Sequence, residues 1–173
     1  MKFLASLALL ASTVAAGPIA YPRADSNSTS TFHLKTSGAS NKDHNNLYVY
    51  AYHTGAGFND AVLTSDVGTA SPAFLNGTHT QFDLGTPFPW GFKMGVQNNY
   101  AAWESVQINT GYGDQDFSIS GTDFEWSEAN GFGGWLVCDW YHNAPQLFYI
   151  SSYYQPDIPS SCSKVDLTAE YIS

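Results

Sequence analysis

Apolar and polar residues alternate with a period close to two from Phe32 onward, and turn residues arrive about every 8 to 12 positions,. Phe32-His33-Leu34-Lys35, Phe82-Asp83-Leu84, Phe92-Lys93-Met94, Val106-Gln107-Ile108, Phe117-Ser118-Ile119 and Val165-Asp166-Leu167 all follow it. No window of a dozen residues carries a 3.6-residue stripe. The pattern predicts an all-β domain of about ten to twelve short strands over residues 32–173, an antiparallel sandwich or barrel with one core. A β-trefoil is the alternative, although no self-similar repeat of about 45 residues supports it.

The strongest strand signal is Leu47-Tyr48-Val49-Tyr50-Ala51-Tyr52-His53. Alternation puts Leu47, Val49 and Ala51 on one face and Tyr48, Tyr50 and Tyr52 on the other, about 7 Å apart. Those tyrosines either line a surface platform or lie under another layer. Asn76-Gly77, flanked by Ala73-Phe74-Leu75 and Thr80-Gln81-Phe82, predicts a tight type I′ hairpin centred on those two residues,.

The first 31 residues do not follow the alternation. Lys2, the apolar run Phe3–Ala11 and the small residues around Val14-Ala15-Ala16 predict a signal peptide over 1–16, with the mature chain starting near Gly17,. Residues 17–31, rich in Ser and Thr, read as a flexible lead-in in which Arg23 could mark a processing site,. No downstream apolar run reaches the roughly 18 residues that a membrane span needs, so a secreted protein of the extracellular space or cell wall is expected. Asn27-Ser28-Thr29 and Asn76-Gly77-Thr78 are glycosylation sequons, the second on the expected turn, where a glycan has room,.

Charge narrows the partners. The formal net charge is −9, and one unit more negative once Lys2 leaves with the leader. The few basic residues are scattered, which argues against nucleic acid and against an anionic membrane surface. Cys138 and Cys162 are the only cysteines, and in an oxidising compartment they are expected to pair. No paired spacing suggests zinc, and no cofactor motif is present.

Candidate chemistry is sparse. There is no Gly-x-Ser-x-Gly elbow and no His-Glu-x-x-His,. Asp139 and His142 are three apart and could meet in a turn. Glycoside hydrolysis needs two carboxylates roughly 5 to 9.5 Å apart, for which Glu104 beside Trp103, and Glu125 between Phe124 and Trp126, are the candidates. Asp114-Gln115-Asp116 could form a calcium loop but lacks the ligand spacing of an EF-hand. Aromatics make up 16% of the chain against 12% charged residues. That excess fills a β core and can also stack on sugar rings. The expected function is therefore a non-catalytic extracellular or wall-associated β-protein, with carbohydrate binding at Tyr48, Tyr50 and Tyr52 as the first alternative and a glycosidase as the second. Cell-wall polysaccharide is the expected partner class.

The segments Gly131–Trp140, Pro145–Phe148 and Ser161–Leu167 resemble the closing block of a family of small secreted fungal proteins, a domain of unknown function. Phe74–Thr78 followed by Phe82-Asp83-Leu84 resembles its middle. The Trp-x-x-Cys to Cys-x-x-Val ending is more loosely similar to phialide-type cell-wall proteins of filamentous fungi. These resemblances imply an extracellular fungal protein and carry over no catalytic residue.

Overall fold

Period-two alternation becomes wall geometry in the first strand. β1 (Phe32–Ser37) buries Phe32, Leu34 and Thr36 and turns His33, Lys35 and Ser37 the other way,. The computed structural model describes residues 30–96, 102–140, 142–155 and 157–172. The expected leader, nearly all of the lead-in, and the Asn27 sequon lie outside the described residues.

The remaining strands are β2 (Tyr48–Gly55), β3 (Phe58–Thr64), β4 (Ala73–Asn76), β5 (His79–Phe82), β6 (Trp90–Met94) and β7 (Trp103–Thr110). β8 (Phe117–Ser120), β9 (Asp123–Trp126), β10 (Phe132–Asp139), β11 (Pro145–Ser151) and β12 (Cys162–Tyr171) complete the set. The circuit β1-β4-β5-β6-β7-β3-β11-β10-β12 closes because β1 pairs antiparallel with β12 from Phe32↔Tyr171 to Ser37↔Asp166. The fold is a closed nine-stranded antiparallel barrel with extra strands, the barrel form of the expected all-β domain. Closure removes most of the free sheet edge that would otherwise template aggregation. Outside the circuit, β2 bridges β1 and β3, and the β8–β9 hairpin attaches to β12.

Aromatic side chains fill the interior. Phe117 stacks on Phe124 (5.5 Å, 11°) and Phe124 on Trp135 (5.8 Å, 20°). Trp135 Nε1 donates to the Phe124 carbonyl at 2.8 Å, so this buried indole is satisfied,. A second, smaller core lies outside the wall, where Leu136, Cys138, Phe148, Ile150 and Cys162 pack with Trp103 and Ile158. Cys138 and Cys162 are register partners on β10 and β12 and form the disulfide.

The β4–β5 hairpin differs from expectation by one residue. Asn76 pairs with His79, so Gly77 and Thr78 occupy the turn, and of the two only Gly77 has positive φ (+62°). That matches the Gly-X, II′-like form rather than I′. Asn76 stays in the strand, half-buried, with Nδ2 donating to Gln81 Oε1 at 3.3 Å.

Candidate functional site

β2 displays its tyrosines on the outer surface of the barrel. Val49, between them, is fully buried in the core. Tyr48 is half-buried and donates its hydroxyl to Glu170 Oε1 at 2.9 Å, while Lys35 Nζ donates to Glu170 Oε2 at 2.7 Å and lies 5.1 Å from the Tyr48 ring centre. His33 packs edge-on against the same ring. The hydrogen bonds from Lys35 and then Tyr48 hold the Glu170 carboxyl below its ordinary value, and the Glu170 bond raises Lys35,. Burial lowers His33, although Glu170 pulls the other way.

Tyr50 and Tyr52 meet at 6.3 Å with planes 70° apart, so the row is not one flat face. Burial, and then Tyr52, raise the Tyr50 hydroxyl. Tyr52, 37% exposed, carries the His142 ring over it at 4.3 Å. Val62 pairs with Tyr50 and shares its face, yet is fully buried. This part of the outer wall is covered, and the turn between β10 and β11 brings His142 onto it.

His142 and Asp139, close in sequence, meet different neighbours. His142 Nε2 lies 2.7 Å from Asp60 Oδ2, and Asp139 Oδ1 lies 3.2 Å from Nε2 of the fully buried His44. Asp139 ends β10 while His142 sits in the following turn, so the chain reversal sends the two side chains to different neighbours. His44 and Asp60 carry no motif, and sequence reading misses both.

Glu104 and Glu125 are not brought together. Glu104 has the inward parity of the buried core residues Val106 and Ile108, whereas Glu125 alternates with inward Phe124 and Trp126 and is exposed. The path from β7 through β11, β10 and β12 to β9 is four strand steps, roughly 19 Å along the sheet. In the 114–116 loop, Asp114 is already engaged by Lys93 and the Met94 backbone N–H, and Asp116 accepts from Asn130. No group of three or more ligand-type side chains suited to a metal occurs among the described residues.

A different place gathers polar groups. Between the Phe132↔Ser151 and Trp135↔Tyr149 pairs, β10 carries Gly133 and Gly134 opposite the single residue Ile150, a bulge that keeps both Phe132 and Trp135 pointing into the core,. Gly134 has φ +117°, and a Cβ on Gly133 would press on the β11 backbone. Outside this bulge lies a cleft of about 740 Å³ lined by Glu125, Glu128, Lys164, Tyr154, Gln155 and Ser151, among others. Ser151 pairs with inward Phe132 and is 1% exposed, so its hydroxyl, which has no partner among the described residues, lies on the core side of the wall,. An adjoining cleft of about 240 Å³ shares Glu125 and adds Asp123 and Asp166. The Gly-Gly pair inside a strand pattern was the only sequence signal for this feature.

Residues 29–171 match a domain of unknown function, DUF7907. The chain belongs to this family. No curated protein and no solved structure matches it. The DUF7907 match spans every strand of the barrel and both outer clefts. It assigns no activity to them.

Proposed function

We propose that this DUF7907 chain is a secreted, non-catalytic extracellular protein that associates with the fungal cell wall by binding polysaccharide. The observation that carries this reading is the cleft outside the β10 bulge. It combines a Tyr154 ring, 41% exposed, with carboxylate, amide and hydroxyl groups, the mixture that stacks on sugar C–H faces and bonds sugar hydroxyls,. The disulfide fits an oxidising compartment,. Net charge −9 disfavours phosphate-bearing partners and anionic membranes,, and no described helix is long and apolar enough to cross a membrane.

Binding rather than turnover is favoured because Glu104 and Glu125 stand on opposite faces of the wall. The test is retention of the purified protein on insoluble chitin or glucan, with soluble oligosaccharide as competitor. Competable retention is expected. Retention that responds only to salt, or none at all, would reject polysaccharide binding. Reducing sugar released by the wild type but not by a Glu125→Gln variant would restore the glycosidase reading.

A further inference from the structure

We infer that Asn76 carries an N-linked glycan whose first sugar packs on the ring of Phe74, on the outer face of the β4–β5 hairpin. This rests on the secreted part of the reading above and not on polysaccharide binding. Asn76-Gly77-Thr78 is a complete acceptor sequon,. Transfer joins Asn76 Nδ2 to C1 of the first sugar of a lipid diphosphate-linked oligosaccharide. The C1–O bond to the diphosphate breaks, the amide gives up one proton, and the lipid diphosphate departs. Transfer takes place before β4 and β5 pair, and folding then carries the sugar to the hairpin.

The surroundings of Asn76 suit such a sugar. Pairing of Asn76 with His79 leaves Gly77 and Thr78 as the turn, both exposed, and a Cβ built on Gly77 would meet nothing within 4 Å. Ala73 is buried in the core and Leu75 packs against it, so strand alternation turns Phe74 and Asn76 outward together, about 7 Å apart,. Phe74 is only half-buried, and a ring at that spacing offers its face to the C–H groups of a sugar on Asn76. Gln81, opposite Phe74, accepts from Asn76 Nδ2 at 3.3 Å. The glycosylated nitrogen keeps one hydrogen, so it can still donate to Gln81 and hold the linkage over the outer face. His79, the register partner of Asn76, lines a cleft of about 560 Å³ with Gln115, Trp126 and Asn130. Sugars beyond the first have room and polar partners there.

The test is the full chain expressed in a yeast secretion host and recovered from the medium. Peptide N-glycosidase in heavy-oxygen water should strip carbohydrate mass and leave a labelled Asp at position 76 in peptide maps. Thr78→Ala, which keeps the Asn76 side chain, should abolish carbohydrate at this position, whereas Thr78→Ser should retain it. The glycosylated protein should melt about 2 to 4 °C above the same chain produced with donor synthesis inhibited. Phe74→Leu, which keeps apolar bulk without a ring, should erase most of that difference.

Label at Asn27 alone, or unglycosylated protein in the medium, would overturn the inference and leave secretion standing. Unglycosylated protein retained inside the cells would reject both. A glycan on Asn76 that raises the midpoints of wild type and Phe74→Leu equally, or of neither, would overturn the packing on Phe74.

Discussion

His142 Nε2 donates to Asp60 Oδ2 at 2.7 Å across 82 residues of sequence, and both side chains are about nine-tenths buried. The pair ties the β10–β11 turn to β3 and holds the imidazole against Tyr52. Replacing Asp60 by Ala removes the acceptor and leaves a buried ring N–H without it, so stability should fall by about 1 to 3 kcal/mol. Urea midpoints for Asp60→Ala, His142→Ala and the double variant would measure this. The double variant should lose less than the sum of the singles.

Tyr50 is half-buried and meets the Tyr52 ring edge-on. Tyr50→Ala should therefore cost about 2 kcal/mol, between the roughly 3 to 5 kcal/mol of a full core truncation and the under 0.5 kcal/mol of a free surface ring. Tyr48→Phe removes the hydroxyl that bonds Glu170 and should cost under about 1 kcal/mol,. Thermal unfolding distinguishes the two. Sugar affinity that follows Tyr50 rather than Glu125 and Glu128 would move the binding site to β2.

The His33, Lys35, Tyr48 and Glu170 cluster makes stability fall toward acid in two stages. His33 is held below its ordinary value of 6.5, so the unfolded chain takes up a proton first, and stability declines as the pH drops below 6.5,. Glu170 is also depressed, so its contribution is present above 4.5 and is lost as the pH falls through its lower folded value,. Lys35 is raised, so its contribution holds below 10.5 and fades above its folded value,. Urea midpoints against pH should lose the first stage in His33→Gln and the second in Glu170→Gln.

The alternation of β1 and β2 was legible in the sequence because each inward residue meets one core, which fixes the parity of the whole strand. The β4–β5 hairpin register was not, because Asn76-Gly77 and Gly77-Thr78 both suit a two-residue turn and cross-strand packing chose between them. Asp60 and His142 are 82 residues apart, and a single pair at that distance leaves no periodic trace. The cleft depends on the Gly133-Gly134 bulge and on the chain around Tyr154 folding back over it. Glu125 was visible as an outward carboxylate, while Lys164 gained meaning only from the strand pairing that brings it to the same cleft.

Cys138 and Cys162 link β10 to β12 within the outer core, closing a 24-residue separation. The Cys138→Ala/Cys162→Ala variant should lose roughly 3 to 4 kcal/mol through greater freedom of the unfolded chain. Guanidinium unfolding of the two proteins, compared at equal temperature, measures it. A loss below about 1 kcal/mol would mean that the outer core, not the bridge, holds these strands.

The most direct test of the central claim is a binding isotherm of the secreted protein on insoluble wall polysaccharide, with reducing ends assayed in the same tubes over time. The account predicts saturable depletion of protein from solution, reversed by soluble oligosaccharide, with reducing ends constant. Protein that stays in solution at every polysaccharide load, or reducing ends that rise with time and protein concentration, would contradict it.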